Sequence, residues 1–194
     1  DEEQTASIQL QKTDAQDGRG IKNAVFDLYR IENGKNVLLQ SGLRTNAAGE
    51  IVVESLKFGI YFFLETKNAG GYEMPEEEKR QTEPVTLNEA TAGTVQTVAM
   101  SNERKTGSVV LAKTDDTGAK VGGASYALYY REAGETDDTQ YGIYETRSDR
   151  NADNYGEIHI AGLPWGDYYF VEAKAPVGDD FKTKHVTISI GLGN

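Results

Sequence analysis

The sequence predicts an all-β fold: two β-sandwiches in tandem, the second lacking its last strand. Three observations predict it. Apolar residues recur with period two in short runs. The runs are separated by clusters of Gly, Asn and Asp, and no segment carries a helical period through three or more turns. The chain also repeats itself. Ser7-Ile-Gln-Leu-Gln-Lys-Thr-Asp14 returns as Ser108-Val-Val-Leu-Ala-Lys-Thr-Asp115, Ala24-Val-Phe-Asp-Leu-Tyr-Arg30 as Ala124-Ser-Tyr-Ala-Leu-Tyr-Tyr-Arg131, and Gly59-Ile-Tyr-Phe-Phe-Leu-Glu65 as Gly166-Asp-Tyr-Tyr-Phe-Val-Glu172. A repeat of roughly 100 residues is too long for a solenoid unit and matches two domains.

The elements follow in chain order. Ile8, Leu10 and Lys12 share one face of a first strand, as do Val109, Leu111 and Lys113 in the second copy. Second strands run from Val25 to Tyr29 and from Ser125 to Tyr129, entered through turns at Gly18 and Gly20, and at Gly118, Gly122 and Gly123. Ile51-Val-Val53 and Ile158-His-Ile160 follow the turns Asn46-Ala-Ala-Gly49 and Asn154-Tyr-Gly156. Tyr61 to Glu65 and Tyr168 to Glu172 are apolar, aromatic strands expected at sheet centres. Val85-Thr-Leu87 and Val186-Thr-Ile188 come next, and Val95 to Met100 closes the first copy. Each copy therefore has about seven short strands, the pattern of a sandwich. The boundary is expected in Asn102-Glu-Arg-Lys-Thr106, giving domains 1–104 and 105–194. The copies are expected to differ mainly at Arg131 to Arg150, taken as an acidic surface loop inserted in the second.

Composition excludes several function classes. The 194 residues suffice for two domains with modest cores. A formal charge of −11 argues against nucleic acid and disfavours contact with anionic membranes. The chain has no cysteine, so it has no disulfide, thiolate metal site or cysteine nucleophile. No apolar run is long enough to span a bilayer. Asp1 to Thr5 reads as a solvated leader rather than a signal peptide. The chain is expected to be a piece excised from a longer protein.

A Lys-Thr-Asp first strand, an Ala-x-Phe/Tyr-x-Leu-Tyr second strand, and Gly162-Leu-Pro-Trp-Gly-Asp-Tyr-Tyr-Phe-Val-Glu-Ala-Lys-Ala-Pro176 together resemble CnaB-type domains. These are the Ig-like, prealbumin-like sandwiches of Gram-positive pilins and surface adhesins. The first copy is looser at the last motif, Ser55 to Ala69, with neither Leu-Pro nor Ala-Pro. The resemblance covers nearly the whole chain. It implies an intramolecular isopeptide bond between a first-strand lysine and a last-strand asparagine, assisted by a glutamate of the aromatic strand. In the first copy these are Lys12, Asn102 and Glu65.

Parity agrees independently. Lys12 continues the face of Ile8 and Leu10, Glu65 that of Tyr61 and Phe63, and Asn102 that of Val98 and Met100. The chemistry needs these residue types. A lysine removed from water gives up its proton more readily, and a neutral amine is a nucleophile. A carboxyl group kept from water holds its proton, and can polarise a carboxamide and pass a proton to departing ammonia. The carboxamide carbon is a weak electrophile, so the fold must hold the amine against it. Against this stands the plain reading of either residue alone: a strand-end lysine that snorkels and a solvated glutamate. The repetition and the resemblance reverse that weighting.

In the second copy Lys113 and Glu172 match, but the closing strand does not appear. By the spacing from Val85 to Asn102, the partner asparagine falls beyond Asn194, which arrives too early in Gly191-Leu-Gly-Asn194. A sandwich lacking one strand is a template for strand addition, so this domain is expected either to be completed by a later segment or to accept an Asn-bearing strand in trans through Lys113.

Other sites are weaker. Asp149 to Gly156 loosely echoes a calcium loop but lacks its glycine and terminal glutamate. His159 and His185 lack metal spacing, no serine triad is recognisable, and the glycines fall in turns rather than in a phosphate loop. Trp165 with Tyr168 offers a stacking surface for a sugar or peptide, or simply core packing.

The expected function is structural. The chain is a stalk module of a pilin or cell-surface adhesin, extracellular and cell-wall anchored in the full-length protein. Its expected partners are neighbouring domains or fibre subunits, with a host protein or peptide strand as a further possibility. It is expected to need no cofactor or metal, and to be no enzyme beyond one self-crosslinking turnover. Two rivals stand: a ligand-binding module using the Arg131–Arg150 loop or Trp165, and accessory domains of a secreted hydrolase.

Overall fold

The computed structural model describes residues 4–132, 136–175 and 186–191. The chain divides into two compact units, 1–104 and 105–194. Each is a pair of β-sheets packed as a sandwich. No helix among the described residues is long and apolar enough to cross a membrane.

In the first unit, β1 (Thr5–Asp14) buries every second residue from Ala6 to Asp14. It is the central strand of a three-stranded sheet, antiparallel to β4 (Glu50–Lys57) and parallel to β7 (Val95–Asn102). The facing sheet has the order β3 (Lys35–Arg44), β2 (Val25–Glu32), β5 (Gly59–Lys67), β6 (Val85–Leu87). Ile8, Leu10, Phe26, Leu28, Tyr61, Phe63 and Leu87 fill the space between them. Phe26 and Phe63 meet edge to face at 6.4 Å, the arrangement aromatic quadrupoles favour. The aromatic strand β5 lies inside its sheet, which explains its unbroken apolar character.

Strand β3 has no counterpart in the sequence expectations. Almost all its residues are exposed, including Val37, Leu38 and Leu39, so it shows no alternation. A signal was nevertheless present: Asn33-Gly34 joins β2 to β3 with φ of 51° and 74°, the tight hairpin turn that Asn-Gly favours.

In the second unit, β8 (Thr106–Ala112) pairs with β11 (Glu157–Pro164). The facing sheet runs β10 (Thr139–Glu145), β9 (Ser125–Glu132), β12 (Gly166–Lys174), β13 (Val186–Ile190). Leu111, Leu128, Ile158, Tyr168 and Phe170 form its core. Among the described residues this unit has six strands, and no strand lies on the side of β8 where β1 has β7.

The expected insertion at Arg131 to Arg150 is corrected. The segment contains β10, which pairs with β9 as β3 pairs with β2. Thr45 and Ala24 exchange hydrogen bonds in one unit, and Thr146 and Ala124 in the other, so the hairpins nearly match in length. The extra residues fall between Thr146 and Gly156, where the first copy needs only the turn from Thr45 to Gly49. Charge misled the sequence reading, since an edge strand facing solvent carries the composition of a loop.

Candidate functional site

Lys12 sits near the end of β1, where both neighbouring segments grip its backbone. Its N–H donates to the Gly49 carbonyl at 2.7 Å, and its carbonyl accepts from the Ile21 N–H at 3.0 Å. Gly49 has φ of +80°, and a Cβ there would lie 2.1 Å from the Lys12 carbonyl oxygen. Only glycine allows this approach. The second unit repeats the arrangement, with Lys113 held by Gly156 and Val121.

The inward face of β1 carries Lys12 into the sandwich, where it is fully buried beside Glu65 and Asn102. Lys12 Nζ donates to Glu65 Oε2 at 3.0 Å and to Asn102 Oδ1 at 2.6 Å. Asn102 Nδ2 donates to Glu65 Oε1 at 2.8 Å. The three side chains close a ring of hydrogen bonds. Lys12 and Asn102 come from adjacent parallel strands, and Glu65 reaches them from the facing sheet. The ammonium also lies 5.6 Å from the Phe26 ring centroid.

Burial is the largest influence on Lys12 and lowers its pKa from 10.5, while the charge and hydrogen bond of Glu65 act in the opposite direction. The site thus holds an amine whose charge is disfavoured, a carboxylate positioned to take its proton, and a carboxamide within contact. Its nitrogen is aimed at that same carboxylate.

The second unit brings Lys113 and Glu172 together, with Nζ 3.3 Å from Oε1. Glu172 is buried, while the Lys113 side chain keeps slight exposure. Asn194 lies outside the described residues, as does His185. Beside the pair, an apolar groove of about 250 Å³ runs along β8, lined by Val109, Leu111, Tyr126, Phe170, Val186 and Ile188.

Tyr168 does not share a stacking surface with Trp165. Tyr168 is buried and its hydroxyl donates to the Pro164 carbonyl, so it is core, while Lys105 covers the Trp165 ring at 4.8 Å. Asp149 caps its own turn by accepting from the Asn151 N–H. No group of three or more potential metal ligands occurs among the described residues.

Sequence reasoning missed one cluster beside the Lys12 site. Asp14, also buried, accepts from the Tyr72 hydroxyl at 2.8 Å and from Arg104 Nε. Arg104 also pairs with Asp17. The repeated Lys-Thr-Asp motif signalled Asp14. Tyr72 and Arg104 lie in irregular segments with no periodicity to betray them.

A family model described as SpaA, prealbumin-like fold domain, matches residues 6–103 and again residues 107–193. No curated protein matches the chain. Among solved structures, the Bacillus anthracis TIE protein is similar at 20% identity and a TM-score of 0.63, over 97% of this chain and 32% of that one. This chain therefore spans about a third of that protein's length. The C-terminal fragment of the pilus adhesin SpaC from Lactobacillus rhamnosus GG is similar at 13% identity and a TM-score of 0.54, over 96% of this chain and 83% of the fragment. At these identities the likeness is one of fold.

Proposed function

The chain belongs to the family of SpaA prealbumin-like fold domains, of which it carries two in tandem, and from that premise we propose that it is a structural stalk module of a Gram-positive pilin or surface adhesin. Its partners are neighbouring domains or subunits of a surface fibre. Its first domain is locked by an amide between Lys12 and Asn102 that it forms itself. The observation carrying this reading is the buried ring of Lys12, Glu65 and Asn102.

The reaction follows from the contacts. Glu65 takes a proton from Lys12 through Oε2, leaving a neutral amine. The amine nitrogen attacks Cγ of Asn102, and proximity supplies most of what a weak electrophile lacks. Glu65 then delivers that proton to Nδ2, which already faces its Oε1, and carries a second proton from the attacking Nζ to the same nitrogen. The Cγ–Nδ2 bond breaks, the Nζ–Cγ amide remains, and the charge once on Lys12 leaves as ammonium. The first domain does this once, so the chemistry is self-modification rather than turnover.

Intact-mass spectrometry of the denatured chain tests the proposal. The expected result is a deficit of one ammonia, absent from Lys12→Ala and Asn102→Ala. Glu65→Ala is expected to slow its appearance about 10²- to 10⁴-fold. A full-mass parent chain would overturn the covalent part.

A second reading concerns Lys113. The open edge of β8 and the apolar groove beside it favour a strand patterned like β7, laid parallel to β8, whose asparagine would meet Lys113 and Glu172. The probe is a synthetic peptide of residues 94–103. An adduct of peptide mass less one ammonia, lost in Lys113→Ala, is expected. No adduct at millimolar peptide would remove this reading and leave the first untouched.

A further inference from the structure

Asp14 lies two residues beyond Lys12 on the same inward face of β1, with its side chain sealed from solvent. Arg104 lies two residues beyond Asn102. In the parallel ladder, Lys12 is the Cα partner of Met100 and Asp14 the partner of Asn102. Each β1 side chain reaches the residue two places past its ladder partner: Lys12 meets Asn102, and Asp14 meets Arg104. A third group completes each pair, Glu65 for the first and the Tyr72 hydroxyl for the second. The reacting pair and the ion pair are successive rungs built on one offset.

We infer that Asp14, with Arg104 and Tyr72, positions the amide-forming reaction by fixing the register of β7 and holding Asn102 against Lys12 before the bond closes. The inference rests on the Lys12–Asn102 amide proposed above.

Strand β7 needs such a device. It joins β1 in parallel, so no hairpin turn sets its register. A slip of one residue would turn Asn102 out of the core, and a slip of two would carry it roughly 7 Å along the strand. The chain around Asn102 is gripped from two sides. The Ala15 N–H donates to the Asn102 carbonyl at 3.0 Å, and the Glu73 N–H to the Glu103 carbonyl at 2.8 Å. Tyr72 and Arg104 form a β-bridge. The Asp14–Arg104 contact adds a charge-assisted bond that any slip would break.

The two oxygens of Asp14 have separate partners. Oδ1 caps the following turn, accepting from the N–H groups of Gln16 and Asp17. Oδ2 takes Tyr72 and Arg104. In the second unit Asp115 keeps the capping role, accepting from Thr117 and Ala119 of its own turn. Turn capping therefore accounts for one oxygen, and the other acts where β7 is present.

The test uses the full chain made by cell-free synthesis, quenched at intervals in denaturant and weighed. Asp14→Asn keeps a capping oxygen and removes the charge. Arg104→Gln removes the cation, and Arg104→Lys restores it. The expected result is ammonia loss about 10²-fold slower in Asp14→Asn and Arg104→Gln, with most of the rate recovered in Arg104→Lys and the circular dichroism unchanged. Should Asp14→Asn fail to fold, the two Arg104 variants carry the test from a partly exposed position. Equal rates in parent and variants would overturn this inference alone, as would Arg104→Lys being as slow as Arg104→Gln. A parent chain that loses no ammonia would overturn the amide itself, and this inference with it.

Discussion

Lys12 Nζ stands 2.6 Å from the carboxamide oxygen of Asn102, and 90 residues of chain separate the two. An amide between them closes nearly the whole first unit into one loop. By the loop-entropy relation for cross-links, closing a loop of that size stabilises by about 4–5 kcal/mol. Asn102→Ala, which retains the Lys12–Glu65 pair, is expected to lose about that amount in equilibrium denaturation. A loss below about 1 kcal/mol would show that the amide does not constrain the unfolded chain.

Before reaction, Lys12 ties stability to pH. Burial lowers its folded pKa below 10.5, against the attraction of Glu65. Between the lowered value and 10.5 the unfolded chain binds more protons than the folded one, so stability rises with pH there. Asn102→Ala, which cannot react, is expected to gain stability on approaching 10.5 from below, relative to the double variant Lys12→Met/Asn102→Ala. A parent chain carrying the proposed amide is expected to lack this rise, because an amide nitrogen does not titrate. Parallel pH profiles for all three proteins would contradict the assignment. The same shift predicts that ammonia loss speeds up with pH as the neutral amine becomes more abundant.

Gly49 tests how closely the site depends on backbone geometry. Its φ of +80° and the 2.1 Å separation between a built Cβ and the Lys12 carbonyl oxygen leave no room for alanine. Gly18 has a similar φ of +76° but open space around it. Gly18→Ala is expected to cost about 1–3 kcal/mol from backbone strain alone. Gly49→Ala is expected to cost more and to abolish the mass deficit, because the strand end bearing Lys12 must move. Equal melting temperatures for the two variants would contradict this.

Parity made the Lys12 site legible in the sequence. Lys12, Glu65 and Asn102 each extend a strand's apolar alternation by one step, so their side chains inherit the inward direction of Ile8, Phe63 and Met100. The Asp14–Tyr72–Arg104 cluster was not legible. Tyr72 follows β5 in an irregular segment, and its approach to Asp14 depends on a tertiary path that no local pattern encodes. Strands β3 and β10 were missed for a related reason. β3 is exposed along almost its whole length and β10 half-buries only Gly142 and Tyr144, so neither shows an apolar alternation in sequence, and only the Asn33-Gly34 turn marked the first of them.

Force gives the last prediction. The amide would join β1 to β7 near the C-terminal ends of both strands, so tension entering at Thr5 runs along β1 to Lys12 and crosses directly to Asn102. The segment between them, including both sheets' remaining strands, bears no load and cannot extend. Its contour is roughly 300 Å at about 3.3–3.6 Å per residue. In single-molecule stretching between the chain ends, Asn102→Ala is expected to release that length in an unfolding step that the parent does not show. The parent is expected to keep its first unit closed up to covalent-bond forces, because the parallel ladder's hydrogen bonds are bypassed rather than sheared. If the parent releases the same step, the strands are held by hydrogen bonds alone and the stalk role loses its mechanical basis.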